Sequence, residues 1–146
     1  MTRYFFVGEV NDKVKHIAFV AQKALDVGIS RAVVGNRLTD ISSAIQQEVE
    51  KEGFSVIRDF AGHGIGKEIH EEPDIPNYGK PGNGPVLQEG MTLAIEPMIA
   101  QGSCIVKIMA DGWTAKTADG GLAAHVEDTV LITKNGPQVF TRLHKI

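Results

Sequence analysis

The sequence predicts an α+β fold in which helices come first and antiparallel strands follow. Two observations carry this. Apolar residues recur at helical spacing only before residue 53, and after residue 58 the apolar segments are short and separated by turn residues. The 146 residues suit one domain spanning 1–146, long enough to bury roughly 68–70% of the unfolded chain's surface.

The elements follow in order. Arg3 to Val7 is a short aromatic and β-branched run closed by Gly8, which predicts a strand. Val14, Ile17, Ala18, Ala21 and Leu25 then form one apolar stripe, with Asn11 as the N-cap and Gly28 as the expected stop. A second helix is expected from Thr39 to Glu52, with Ile41, Ala44, Ile45 and Val49 buried and Gly53 at its end. Strands are expected at Phe54–Ile57, Met91–Ala100, Ile105–Met109, Trp113–Thr117, Val126–Thr133 and Gln138–Leu143. Asp111-Gly112 and Asn135-Gly136 read as two-residue type I′ turns. The segment Pro73–Gly90, rich in proline and glycine, reads as ordered surface loop.

Composition narrows the function. Fifteen Lys and Arg against eighteen Asp and Glu leave a net charge of -3, which offers no basic footprint for nucleic acid. No stretch approaches the ~18 apolar residues of a membrane span, and the first residues lack a signal peptide's layout. The single Cys104 excludes an internal disulfide and fits a reducing, cytoplasmic setting. Mean hydropathy of -0.06 is that of an ordinary soluble globule.

A few positions break the binary pattern. Glu96 sits inside the apolar run MTLAIEPMI, and an unpaired buried carboxylate normally protonates, pairs or binds a metal. Glu127 and Asp128 lie among Val126, Val130, Leu131 and Ile132, so alternation turns one of them inward. Gly62-His63-Gly64-Ile65-Gly66 precedes His70-Glu71-Glu72-Pro73, and histidines with strand-borne carboxylates are the donors of nitrogen and oxygen metal sites. Each anomaly alone has a plainer reading. A lone histidine is more often a hydrogen-bonded structural residue, Lys67, Glu68, Glu71 and Glu72 form a solvated turn, and Glu96 could pair with a buried cation. His16 reads as a non-functional helix residue, His125 as ambiguous, and His144 as part of a fraying tail.

Taken in order, GHGIG, HEEP, IPNYGKPG, GMTLAIEPM, the DGW hairpin and VEDTVLITKNG resemble a type I methionine aminopeptidase across essentially the whole chain. That resemblance implies a pita-bread fold, helices packed on a curved antiparallel sheet, and removal of the initiator methionine from nascent proteins with two divalent ions (Co, Mn, Fe or Zn). By motif, His63, Glu96 and Glu127 match metal ligands, with Glu96 also the candidate general base. His70 matches a catalytic histidine that touches substrate, and Trp113 and Ile69 match positions lining the substrate pocket. The implied chemistry is attack of metal-activated water on the first peptide carbonyl, with His70 steadying the developing charge.

The resemblance also carries departures. The family completes its site with two aspartates upstream of RYFFVG, so the chain is expected to be a carboxy-terminal portion, incomplete on its amino-terminal side. Asp12 and Asp40 read as helix caps and not as replacements. A single weakened metal site with poor turnover is the expectation, together with self-association through the surface an absent half would cover. Ile69 stands where many relatives have phenylalanine, and Asp128 where many have histidine. Two other readings fit: a prolidase or aminopeptidase P relative, disfavoured by His125 where arginine is usual, and a non-catalytic half-domain that binds peptides or partners.

Overall fold

The computed structural model describes residues 1–142; Leu143 of the last expected strand and His144 lie outside the described residues. Two helices form first, α1 (Asp12–Arg31) and α2 (Leu38–Lys51). Asn11 caps α1 as expected, its side chain accepting the Val14 N–H at 3.0 Å. Asp40 serves the same purpose for α2, accepting the Arg37 N–H at 2.8 Å. Ile17, Ala18, Ala21 and Leu25 are buried on α1, and Ile41, Ile45 and Val49 on α2. Each such large aliphatic contributes about 1.5–3 kcal/mol relative to exposure.

Gly28 does not stop α1, which continues to Arg31. The glycine is buried where the helices pack, and a β-carbon there would lie 2.8 Å from Ile45 Cγ1. It permits close approach of two helices, a role that linear patterning cannot separate from termination.

Among the described residues ten strands follow: β1 (Ser55–Val56), β2 (Ala61–Ile65), β3 (Glu71–Pro76), β4 (Thr92–Ile95), β5 (Met98–Ala100), β6 (Val106–Ile108), β7 (Ala115–Thr117), β8 (Ala123–His125), β9 (Asp128–Thr133) and β10 (Gly136–Val139). They make a five-stranded sheet, β10-β9-β4-β2-β3, a three-stranded sheet, β1-β5-β8, and the β6-β7 hairpin. All pairs are antiparallel. The helices cover the sheets, and Val20, Leu25, Ile45, Leu93, Ile95, Ile99 and Ile132 share one core.

Four local expectations are corrected. Arg3–Val7 is not a strand. Thr2 makes an isolated bridge to Glu127, and among the described residues nothing pairs with Phe5 or Val7, which stay exposed. A strand without a partner edge leaves its backbone unsatisfied, so β propensity alone does not form one. The expected strand Met91–Ala100 is two strands, because Pro97 has no N–H to donate and the chain changes sheets there. Neither Asp111 nor Asn135 takes positive φ, so the turns are not type I′; Gly112 and Gly136 alone enter the left-handed region. The segment Pro73–Gly90 opens within β3 before becoming loop, and Thr39 and Asp40 of α2 bind that loop at Asn83 and Gly82.

Candidate metal centre

The chain passes between the two larger sheets at Glu96-Pro97, after β4, and back again at Val126-Glu127, before β9. Ile95 pairs with Asp128 on one side of this seam and Met98 with His125 on the other, so one register runs through it and sets Glu96 opposite Glu127. His63 pairs with Ala94, two residues before Glu96. With side chains alternating along a strand, His63, Glu96 and Glu127 share one face and Asp128 takes the other. Both carboxylates that looked misplaced are thereby explained: Glu127 faces the seam, and Asp128 is wholly buried behind it.

His63 Nε2 lies 3.6 Å from Glu96 Oε1, both side chains being largely buried. The other ring nitrogen, Nδ1, lies 2.9 Å from the Gly64 carbonyl and donates to it, so in the neutral ring it is Nε2 that carries the lone pair, on the side of Glu96. Crowding accounts for the glycines around His63. A β-carbon at Gly62 would collide with the Ala94 carbonyl, and one at Gly64 with the Glu72 carbonyl. The His70 ring packs 4.2 Å from that of His63, centroid to centroid.

Two residues that sequence reasoning did not place in the site belong to it. His125 Nε2 is 3.0 Å from Glu96 Oε2. Buried Asn77 donates through Nδ2 to the Glu96 carbonyl at 3.1 Å, satisfying the group freed where the strand breaks. The position of His125 two residues before Glu127 was the available signal, since residues i and i+2 share a strand face. Asn77 gave none.

Glu127 is turned from the pair. Its Oε2 accepts from the Thr2 hydroxyl at 3.0 Å, and its Oε1 lies 2.9 Å from the Met1 amino nitrogen. Burial pushes the Glu127 carboxyl up, but the Met1 amino group and the Thr2 hydroxyl outweigh it and hold the group below the usual range. Among the described residues no three His, Cys, Asp or Glu side chains are gathered to enclose a metal ion. In donor type and shared face, His63 and Glu96 could hold a divalent ion, and Glu127 carries a further carboxylate on that face.

A cleft of about 550 Å³ opens here, lined in part by Phe60, His63, His70, Tyr78, Glu96 and Met98. Ile69 and Trp113 are not among its lining residues. Ile69 is 70% exposed in the β2–β3 connection, and Trp113 is 90% exposed at the tip of the β6-β7 hairpin.

Nitrogen and carboxylate side chains at a sheet seam in an α+β fold thus stand beside an open cleft, the residue types of a metal-binding protein. The chain belongs to metallopeptidase family M24, which it matches over residues 1–134. It is 53% identical over 139 residues to the methionine aminopeptidase of Clostridium perfringens, covering 95% of this chain and 56% of that protein. It overlays the crystal structure of methionine aminopeptidase from Thermotoga maritima with a TM-score of 0.92 and 50% identity, covering 95% of this chain and 56% of that one. The prolidase from Pyrococcus furiosus is more distant, with a TM-score of 0.71 and 28% identity over 98% of this chain and 36% of that one. The pita-bread fold is thus that of its neighbours, and the chain spans about half the length of the curated relatives it matches. No helix among the described residues is long and apolar enough to cross a membrane.

Proposed function

We propose that this chain carries a portion of a methionine aminopeptidase site, acting on the amino-terminal methionine of peptides or nascent proteins in the cytoplasm. The observation that carries this reading is the His63–Glu96 pair, 3.6 Å apart, with His70 packed on His63 beside the cleft. The greater similarity to methionine aminopeptidases than to prolidase supports methionine over proline peptides as the substrate class.

His63, Glu96 and Glu127 would hold divalent metal (Co, Mn, Fe or Zn). A divalent ion supplies Lewis acidity that acidifies water and polarises the scissile carbonyl. Glu96 accepts the proton of the attacking water, its carboxylate oriented by His125 and its carbonyl by Asn77. His70 faces the cleft and donates to the carbonyl oxygen as charge develops there. Ile69 and Trp113, exposed and outside the cleft lining, are the proposed contacts for the substrate side chain when it is bound. His63 and Glu96 approach each other while Glu127 is turned away toward Thr2 and Met1, so one ion per chain and slow turnover are expected. The exposed Phe5, Val7 and Trp113 support self-association.

The test pairs calorimetry with cleavage. Mn²⁺ titration is expected to give one site per chain, lost in His63→Ala. Release of methionine from Met-Ala-Ser, and no hydrolysis of an X-Pro dipeptide, is the expected activity. Two tight sites per chain would defeat the single-ion expectation, and preferential cleavage of X-Pro the substrate assignment.

A further inference from the structure

Asp128 is fully buried, yet four groups converge on its carboxylate or on the cations that hold it. Arg3 binds Oδ1 through Nη2, the Thr141 hydroxyl donates to Oδ1 at 2.6 Å, and Arg142 donates through Nε to Oδ2 at 2.7 Å. Arg142 continues through Nη2 to Asp26 of α1 at 2.5 Å. One carboxylate thus joins residues 1–3, the start of β9, the segment after β10 and the first helix.

The second arm of Arg3 shows what this joint holds. Its Nη1 donates to the Glu127 carbonyl at 2.8 Å and to the Thr2 carbonyl at 3.1 Å. Thr2 pairs with Glu127 through the backbone, accepting the Glu127 N–H at 3.0 Å, and its hydroxyl reaches Glu127 Oε2. Glu127 is therefore gripped at its N–H, its carbonyl and its side chain by a two-residue segment. That segment is fastened in turn by the Arg3–Asp128 pair. We infer that Asp128 is a positioning residue for Glu127. Buried and pointing to the opposite face, it touches nothing in the cleft and acts by anchoring the guanidinium that fixes the Glu127 backbone.

Stability alone is a poor explanation for such a cluster, because buried ion pairs often stabilise no more than apolar side chains of similar volume. Their better attested use is in fixing one geometry. The inference rests on the reading of Glu127 as a metal donor, and the test separates the two.

Amide hydrogen exchange and Mn²⁺ calorimetry on wild type, Asp128→Asn and Ile132→Val decide it. Ile132 is buried in the apolar core on the same strand and its side chain has no polar group to bond the ions, so it controls for general loosening of β9. In Asp128→Asn, exchange at the Glu127 amide should rise about tenfold more than at Val130, while Ile132→Val raises both alike. Mn²⁺ affinity should fall about tenfold in Asp128→Asn, as for loss of groups that orient a ligand, and be unchanged in Ile132→Val. Within a Glu127→Gln background, Asp128→Asn should have no further effect on affinity. Equal rises at Glu127 and Val130 in Asp128→Asn would overturn the inference, as would an affinity loss that persists with Gln at 127. Absence of Mn²⁺ binding to wild type would defeat the metal reading alone, and the exchange comparison would still decide Asp128.

Discussion

His125 Nε2 lies 3.0 Å from Glu96 Oε2, while His63 Nε2 approaches Glu96 Oε1 at 3.6 Å, so a single carboxylate spans two imidazoles. The two contacts are unequal in kind. His63 already donates through its other nitrogen to the Gly64 carbonyl, so its neutral ring offers Glu96 only a lone pair, whereas His125 is close enough to donate a hydrogen bond. His125 therefore engages Oε2 and leaves Oε1 toward His63, the oxygen that the proposed metal reading needs free.

Replacing His125 by alanine should lower Mn²⁺ affinity about tenfold, within the range for loss of a group that orients a ligand. His125→Gln, which keeps an N–H donor, should recover most of it. Calorimetry on the three proteins checks this, and equal affinities would remove His125 from the site.

How much of this was legible beforehand depends on what each residue answers to. Asn11, Ile41, Ile45 and Val49 answer to local rules of capping and helical period, and they fall where expected. Glu96 stood out because a carboxylate in an apolar strand needs an excuse. Gly28 and Arg3–Val7 were misread for one reason: their outcomes depend on what lies across from them. Gly28 meets Ile45, and residues 3–7 meet no strand partner among the described residues. The role of Asn77 was hidden in the same way, since it exists only where Pro97 breaks a strand 20 positions along the chain.

That contact makes a second prediction. Asn77 is 1% exposed, and its amide satisfies the Glu96 carbonyl. Asn77→Ala leaves a buried acceptor bare and removes packing beside it, at a cost of about 1–3 kcal/mol. Denaturant unfolding should show a lower midpoint with an unchanged slope. Asn77→Asp, which cannot donate when ionised, should be at least as damaging at neutral pH.

Asp111 governs the hairpin tip that carries Trp113. The Thr114 hydroxyl donates to its Oδ2 at 2.6 Å, and the Trp113 and Thr114 N–H groups donate to Oδ1 at 3.0 and 2.9 Å. These bonds, the Thr114 hydroxyl foremost, hold the carboxyl below the usual aspartate range. A depressed folded-state value means that the contribution is complete above the ordinary value of about 3.9 and is lost as pH falls through the lower folded value. Trp113 is the only tryptophan, so its fluorescence anisotropy reports on this tip directly. Anisotropy should stay level from neutral pH to about 4 and fall in stronger acid, and Asp111→Ala should lower the plateau and remove the step. A step of equal size in Asp111→Ala would assign the change to another group.

The crossing of α1 and α2 at Gly28 sets two familiar effects against each other. Alanine is favoured over glycine inside a helix by about 1 kcal/mol. Against this, a β-carbon at 28 would stand 2.8 Å from Ile45 Cγ1 and 2.9 Å from Cδ1. Cγ1 sits close to the branch point, so it cannot swing clear without leaving its rotamer, and overpacking of this kind costs about 1–3 kcal/mol. Gly28→Ala should therefore destabilise by about 1 kcal/mol net, where an unpacked helix would be stabilised. Ile45→Ala removes both Cγ1 and Cδ1, and alone it should cost about 2–5 kcal/mol for the buried atoms lost. Combining the two lets the new methyl occupy the vacated space, so the double variant should melt above the additive expectation by at least about 1 kcal/mol of coupling. Additive melting would mean that α1 and α2 separate to admit the methyl, and stabilisation by Gly28→Ala alone would mean that the close approach of these helices is not required.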